Sequence, residues 1–350
     1  MPKKHTVSAA DSVQQIFSRA VELGASDVHI AAGQPVFFRI SGQLVAQTKE
    51  DVTPAFADAF VRAVLGDAAH KRFANEREVD MSYQIASGAR FRVNCSYERD
   101  CPSLVARIIP VTIPTLDEIG LTEVADRFCH LHEGLVLFTG PTGTGKSTSL
   151  AAILQHITQT RAVNVITLED PIEFLFPKSK GIVRQRQYLQ DFHSFAEALK
   201  RILRQDPEIV MVGEMRDPET IAAALTLAET GHLIFATLHT PNTAQTIDRI
   251  IDAFPPHQQQ QIRSQLSLSL KGIVAQRLLP AAKGGLVAQR ELLVNTPAVA
   301  HIIRENRLPE MKSVLQTGGD DGMFSFERDA KRLYKAGLIT KEVYEWAVGG

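Results

Sequence analysis

A glycine-rich run, Gly140-Pro-Thr-Gly-Thr-Gly-Lys146-Ser147, has the residue types and spacing that most directly predict chemistry in this chain. The run matches GxxxxGK[ST], whose glycines let successive backbone N–H groups face phosphates at a helix N-terminus. Lys146 is predicted to reach the β- and γ-phosphates of ATP, and the Ser147 hydroxyl to ligate Mg²⁺. The predicted nucleotide contacts are Gly140, Pro141, Thr142, Gly143, Thr144, Gly145, Lys146, Ser147 and Thr148.

Carboxylates follow two apolar segments, as expected if they hold Mg²⁺ and orient the attacking water at such a loop. Glu214 ends one segment and is the candidate general base, while Gly213 stands where a Walker B aspartate is usual. Glu169, Asp170 and Glu173 follow the other, and they would repel one another unless a cation or an arginine lies among them. We expect at least one of these carboxylates in the site, with Glu169 and Asp170 as candidate metal ligands.

His239 follows a third apolar segment, Leu233–Leu238. At a strand end it could donate a hydrogen bond to the γ-phosphate and report its presence. Its position alone is equally compatible with a structural histidine.

The loop, the carboxylates and His239 can form one site only if the fold brings the strand ends together. The pattern in the middle of the chain predicts such a fold. Apolar runs alternate there with helix patterns, at 135–138, 163–168, Ile209–Val212 and Leu233–Leu238 for strands and 147–158, 194–205 and 218–230 for helices. This alternation is typical of an α/β fold with a parallel sheet covered by helices. Ser194 with Glu197, and Asp217 before Pro218, predict two helix starts. After about residue 260 the pattern is mainly helical, with helices predicted at 258–270, 297–305, 309–316 and 325–336.

The first part of the chain has a different pattern of apolar and polar residues. A helix over residues 12–23 precedes strand-like segments at Asp27–Ile30, 36–40, 90–93 and 105–109, which together predict a small α+β domain. Pro110 and Pro114 mark the best linker. The predicted division is therefore 1–109 for the small domain, 110–118 for the linker, 119–290 for the ATPase domain and 291–350 for a helical region.

Composition narrows the class of protein. A net charge of −1 across 350 residues provides no global attraction for nucleic acid or anionic lipid. Three cysteines without CxxC spacing make a disulfide framework or structural zinc site improbable. The basic N-terminus, MPKKHTVSAADS, lacks the apolar core of a secretory signal, and no uninterrupted membrane span is expected. A cytoplasmic ATPase is the prediction.

Taken in order, the motifs resemble those of the secretion and type IV pilus ATPases, most closely the PilT-like pilus retraction branch. The resemblance covers nearly the whole chain. Besides the glycine-rich loop, the matching segments are GASDVH at 24–29, RFRVN at 90–94, ITLEDPIEF at 166–174, DPEIVMVGEMRD at 206–217, TGH at 230–232 and TLHT at 237–240.

The resemblance implies a PAS-like N-terminal domain joined to a RecA-like motor domain, assembled as a hexameric ring with ATP between the two domains. Arg92 matches a nucleotide-contacting residue of the family, and Arg90 and Arg107 are weaker candidates for charge stabilisation. Glu173, Glu214 and His239 occupy the family's Asp-box, Walker B and His-box positions. The implied work is pilus retraction and twitching motility, performed at the cytoplasmic side of the inner membrane against a platform protein, with a related pilus ATPase as a possible further partner.

Two segments help to distinguish the retraction branch of the family from the assembly and secretion branches. Pilus assembly and type II secretion ATPases carry a four-cysteine element where residues 276–285 contain no cysteine, which favours retraction. Retraction ATPases usually carry AIRNLIRE near the C-terminus, whereas residues 298–305 read AVAHIIRE. That departure leaves open an accessory, non-hydrolytic subunit of another ATPase ring. A nucleic-acid translocase is the third alternative, disfavoured by the neutral charge and the lack of a basic segment.

Overall fold

A computed structural model describes residues 9–109 and 112–349, with side chains from Ser12 onward. The N-terminal sequence MPKKHTVS, the linker residues Pro110 and Val111, and Gly350 lie outside the described residues. None of the described helices combines the length and apolar character that a membrane span requires. By its internal contacts the chain forms two bodies, one before Ile113 that also takes in Pro171–Leu175, and one comprising Ile113–Asp170 and the rest.

The first body is an antiparallel sheet with two helices. Its elements are α1 (Ala9–Glu22), β1 (Asp27–Ile30), β2 (Phe37–Ile40), β3 (Gln43–Ala46), α2 (Pro54–Glu76), β4 (Glu78–Gln84), β5 (Arg90–Glu98) and β6 (Cys101–Ile109). The strand order is β3-β2-β1-β6-β5-β4. On β5, Phe91 and Val93 are buried, whereas Arg92 between them is exposed. This period of two directs apolar side chains into the core and polar ones to the other face.

Helix α2 and strands β3 and β4 were not predicted. The helix begins at the Thr53 cap with Pro54 in its first turn, but Gly66 has a left-handed φ of 67° inside it. That interruption breaks the apolar periodicity, which explains why the sequence pattern did not reveal one long helix. Strand β3 is exposed along its whole length, so it carries no alternation to detect.

The second body is built on a seven-stranded sheet of order β13-β12-β7-β11-β10-β8-β9. Its elements are α3 (Thr122–Phe128), β7 (Gly134–Thr139), α4 (Lys146–Thr160), β8 (Asn164–Glu169), β9 (Ile182–Gln187), α5 (Phe195–Ile202), β10 (Ile209–Val212), α6 (Pro218–Glu229), β11 (Leu233–Leu238), α7 (Thr243–Asp252), α8 (Pro256–Ser269), β12 (Leu270–Pro280), β13 (Leu286–Val294), α9 (Pro297–Arg304), α10 (Met311–Thr317), α11 (Phe326–Lys335) and α12 (Lys341–Gly349).

The sheet is parallel except for β13, which pairs antiparallel with β12. All six residues of both β7 and β11 are buried. Because successive side chains point to opposite faces, complete burial means that both faces of the sheet are covered. The predicted parallel strands and the predicted helix caps are confirmed, since Ser194 accepts a hydrogen bond from Glu197 N and Asp217 accepts one from Thr220 N.

The helices predicted after about residue 260 are present as α8 to α11, but no strand was predicted for residues 270–294 between them. These residues form the β12–β13 hairpin, in which β12 pairs in parallel with β7. The apolar residues of β12 occur in short runs, Ile273-Val-Ala and Leu278-Leu279, and runs this short cannot be assigned to helix or strand by periodicity alone. The helical C-terminal region therefore begins at Pro297, after β13 ends at Val294.

Candidate nucleotide site

The glycine-rich loop connects the end of β7 at Thr139 to the start of α4 at Lys146, the strand–loop–helix arrangement that its motif predicts. Gly140 has a φ of +141°, and a Cβ there would lie 2.2 Å from the carbonyl oxygen of Gln276. A side chain at this position would collide with the backbone of β12. Glycine is therefore required here by steric contact.

The Lys146 ammonium lies inside the loop. Its Nζ donates hydrogen bonds to the carbonyl oxygens of Gly140 at 2.7 Å and Pro141 at 3.0 Å, and the residue is only 7% exposed. The residue at the N-cap of α4 is Gly145, which has no side chain to accept from the first-turn N–H groups. Uncapped first-turn N–H groups and an adjacent ammonium make an anion-binding loop, so the residues fit a triphosphate.

A polar chain joins the loop to the ends of two neighbouring strands. Glu214 Oε1 lies 3.1 Å from His239 Nε2, and His239 Nδ1 lies 3.4 Å from Thr142 Oγ1. With Nε2 protonated and donating to the carboxylate, Nδ1 is left to accept from the Thr142 hydroxyl. The structure thus brings together three predicted site residues from β10, β11 and the loop.

Arg216 is a member of this site that sequence reasoning missed. Its Nε donates to Glu214 Oε2 at 2.7 Å, and its NH1 lies 4.0 Å from Asp170 Oδ2. The hydrogen bond to Glu214, together with the charges of Glu214 and Asp170, raises the Arg216 pKa above its ordinary value. The acidic strand ends therefore have a permanent cation between them. The only signal in the sequence is its position two residues after Glu214.

Gly213 replaces the usual Walker B aspartate for a steric reason. A Cβ at Gly213 would lie 3.0 Å from Leu168 O and 3.3 Å from Glu169 Cα. The Gly213 N–H donates to Leu168 O at 2.7 Å. An aspartate would have to push β8 away from β10.

The candidate metal ligands are in different environments. Glu169 is 6% exposed, and its Oε1 accepts hydrogen bonds from Thr167 Oγ1 at 2.6 Å and Gln185 Nε2 at 3.0 Å. Asp170 is exposed, and Ser147 is half-buried in the first turn of α4, as is Thr148. Within residues 9–109 and 112–349, no three His, Cys, Asp or Glu side chains are grouped as a metal site. This donor set fits Mg²⁺ held mainly by water and nucleotide phosphates, the usual arrangement for this ion.

The predicted arginines lie in the first body, on one face of its sheet. Arg92 on β5 is directly opposite Arg107 on β6, and Arg107 is opposite Asp27 on β1. Arg90, two residues before Arg92, shares this face and donates to Ser82 Oγ at 2.8 Å. Asp27 Oδ1 lies 2.9 Å from Arg107 Nε and offsets the charge of that arginine, whereas Arg92 is exposed on the same face. Glu173, half-buried in Pro171–Leu175, also belongs to the first body.

Comparison with known proteins decides the family, because the model of the family described as "Type II/IV secretion system protein" matches residues 3–318. The chain belongs to this family. It is 41% identical over 330 residues to the type IV pilus retraction ATPase PilT of Pseudomonas aeruginosa, covering 94% of this chain and 96% of the relative. It is also 41% identical over 323 residues to a twitching motility protein of Neisseria gonorrhoeae, covering 92% of this chain and 86% of the relative.

A solved structure gives the same result for the fold. The crystal structure of the pilus retraction motor PilT with bound ADP is 42% identical, has a TM-score of 0.88 and covers 95% of this chain and 96% of that chain. The fold class predicted from the sequence is confirmed. The secretion ATPase is α/β, with a RecA-like P-loop core, a smaller α+β PAS-like N-terminal domain and a helical C-terminal region.

Proposed function

We propose that this chain is an ATP-hydrolysing, hexameric motor that powers type IV pilus retraction and thereby twitching motility. One observation carries the proposal: the loop that holds Lys146 is joined through Thr142 and His239 to the strand-end carboxylate of Glu214. Relatives named as a pilus retraction ATPase and a twitching motility protein, each 41% identical, support the direction of the work.

In the proposed mechanism, different residues bind the phosphates, hold the metal ion and accept the proton. Lys146 and the N–H groups at the start of α4 bind the phosphates and stabilise charge that develops during transfer. When bound, Mg²⁺ would neutralise phosphate charge, held by the Ser147 hydroxyl and, through water, by Glu169 and Asp170. Glu214 accepts the proton of the attacking water, and Arg216 and His239 fix the orientation of its carboxylate.

Three further groups complete the proposal. Arg92, with Arg90 and Arg107 as weaker candidates, contacts the nucleotide and offsets its charge, as an arginine supplied from a second domain does in related chemistry. The exposure of Arg92, on the face that it shares with Arg90 and Arg107, supports this assignment. Glu173 is the proposed Asp-box residue of the site. His239 is the proposed sensor of the γ-phosphate, because it bonds both Glu214 and the loop.

Replacing Glu214 tests the hydrolytic role. Glu214→Ala should leave ATP binding intact and lower turnover by about 10² to 10⁴-fold, because binding groups remain while the general base is lost. The measurements are nucleotide titration and phosphate release. Glu219→Ala, which removes an exposed carboxylate from the first turn of α6, is the matched control and should turn over ATP normally. Wild-type turnover in Glu214→Ala would contradict the assignment.

The proposed partners are other copies of this chain in a ring, an inner-membrane pilus platform protein and a related pilus ATPase, with the motor acting peripherally at the cytoplasmic side of that membrane. A deletion strain should carry excess surface pili and show no twitching, because assembly would continue without retraction. Electron microscopy and a motility assay measure both effects. Loss of all pili would instead identify an assembly motor.

The second candidate is an accessory, non-hydrolytic nucleotide-binding subunit, and helix α9 favours it. Val299, Ile302 and Ile303 are buried, whereas His301 is exposed. The altered sequence therefore keeps the packed face of the helix and changes polar surface. Purified protein that binds ATP without hydrolysing it would support this candidate over the motor.

A further inference from the structure

Gln276 on β12 lies against both ends of the phosphate-binding loop. The residue is 2% exposed. Its carbonyl oxygen lies 2.2 Å from where a Cβ of Gly140 would be, and its Nε2 lies 3.0 Å from where a Cβ of Gly145 would be. Strand β12 brings it there because Ala275, the preceding residue, pairs with Thr139 at the end of β7.

The hydrogen bonds of the Gln276 amide determine which way it faces. Its Oε1 accepts from Arg290 Nε at 3.0 Å and from Ser149 Oγ at 2.9 Å, while its Nε2 donates to Thr144 O at 2.5 Å. A guanidinium has only donors, so the amide atom that Arg290 contacts must be the oxygen. The NH₂ group is consequently directed at the loop carbonyl.

That contact sets the orientation of a peptide group inside the loop. The peptide between Thr144 and Gly145 is planar and trans, so its C=O and N–H point in opposite directions. With the Thr144 carbonyl bonded to Gln276, the Gly145 N–H points away from β12. The phosphate-binding loop acts through such N–H groups, so the bond from Gln276 pre-orients one of them.

Arg290 is itself held in place by hydrogen bonds, and it thereby fixes the position of the Gln276 side-chain oxygen. The residue is 2% exposed, and its NH1 and NH2 donate to the carbonyl oxygens of Gly120 at 2.8 Å and Ile119 at 2.9 Å. Burial lowers the Arg290 pKa to about 10, which still leaves the guanidinium charged at neutral pH. Asp329 accepts from the Arg290 backbone N–H at 2.7 Å. Every nitrogen of the guanidinium is thus bonded.

We propose that Gln276 is a positioning residue for the nucleotide: it holds the Thr144–Gly145 peptide with its N–H available to a phosphate, and Arg290 fixes the direction of its amide. The inference rests on the proposed ATPase function. It adds a residue 132 positions from Thr144 to the machinery of the loop.

The same hairpin contains a matched control, the pair of Arg277 and Gln289, which are the sequence neighbours of Gln276 and Arg290. Arg277 Nε donates to Gln289 Oε1 at 2.6 Å, and Gln289 Nε2 donates to Phe326 O at 2.6 Å. Gln289 is fully buried. Because side chains of adjacent strand residues point to opposite faces, this glutamine–arginine pair binds the C-terminal helices in place of the loop.

The experiment compares Gln276→Leu with Gln289→Leu in the full chain, measuring KM and kcat for ATP, the dissociation constant for ADP, and Tm. Both variants should lower Tm, since each loses buried hydrogen bonds. Gln276→Leu should raise KM and the ADP dissociation constant by about tenfold and change kcat by less than about threefold. Gln289→Leu should leave KM at the wild-type value, because partial unfolding reduces the number of active molecules and leaves KM unchanged.

Gln276→Glu keeps an oxygen for Arg290 but removes the donor to Thr144, so it should raise KM as well. This smaller change keeps the test valid if Gln276→Leu fails to fold. A wild-type KM in Gln276→Glu, or an equal rise in Gln289→Leu, would overturn the inference. A wild-type chain that hydrolyses no ATP would refute the proposed function, whereas the ADP titration would still test Gln276.

Discussion

Asp27 shows how the charge of a residue is set by the partners that packing gives it. It is 4% exposed on β1, with its Oδ1 2.9 Å from Arg107 Nε and its Oδ2 3.7 Å from Arg39 Nε. Burial by itself would raise the pKa of this carboxyl. Hydrogen bonds from Ser26 and Arg107, with the charge of Arg107, outweigh burial, and the pKa lies below its ordinary value.

A lowered carboxyl pKa stabilises the fold above the ordinary value of 3.8, and that stabilisation is lost as the pH falls through the folded-state pKa. Asp27→Asn should therefore lower the free energy of unfolding by about 2 kcal/mol at neutral pH and flatten its decline below about pH 4. Urea unfolding at several pH values measures both effects. Asp100→Asn, which changes a 96% exposed ion-pair partner of Arg77, is the control and should have little effect. Parallel pH profiles for wild type and Asp27→Asn would contradict the assignment.

At the scale of elements, the β12–β13 hairpin decides the shape of the phosphate-binding loop. Strand β12 lies beside β7, so its backbone passes close to Gly140 and its side chains alternate between the loop and the C-terminal helices. Sequence analysis predicted the loop but assigned no strand to this hairpin. The run Ile273-Val-Ala is too short to assign by periodicity, and its pairing with β7 makes it part of a strand.

Two glycines of the loop should respond differently to the same substitution. Gly140→Ala places a methyl group against Gln276 O, whereas a Cβ at Gly143 has nothing within 4 Å and only an unfavourable φ of +81°. We expect Gly140→Ala to lower the free energy of unfolding by about 3 kcal/mol and Gly143→Ala by about 1 kcal/mol. Thermal and urea unfolding of the two variants provide the comparison. Equal losses would show that β12 does not restrict the loop.

At the scale of the whole molecule, the proposed activity depends on an assembly of chains. The proposed arginines and the phosphate-binding loop belong to different bodies of the chain. In the proposed motor, ATP turnover is coupled to changes between these bodies. A ring would allow such changes to be coupled from one subunit to the next. The family membership and the pilus retraction relatives support this proposal.

Light scattering on the purified protein should therefore give six times the mass of one chain. Mixing in increasing amounts of Lys146→Ala protein should reduce ATPase activity more steeply than simple dilution does, because inactive subunits would disable mixed rings. Glu219→Ala protein, changed at an exposed position in the first turn of α6, is the control for mixing. A monomeric mass with full ATPase activity would contradict the ring.

The sequence by itself determined the parts of this protein that depend on contiguous residues. The loop motif, the buried parallel strands and the acidic or histidine residues at their ends are local patterns of spacing and period. Parallel strands place those ends at one edge of the sheet, which is why Glu214, His239 and Thr142 could be expected near one another. The chemical roles of these residues stay predictions.

Only the tertiary structure decided which distant groups complete the site. Arg216 had no distinguishing signal until its guanidinium lay between Glu214 and Asp170, and Gln276 had none until β12 aligned with β7. Their contacts depend on strand register and on partners as far apart as Gly120 and Arg290. Such pairings are selected by the packing of the whole core, which spacing along a chain does not encode.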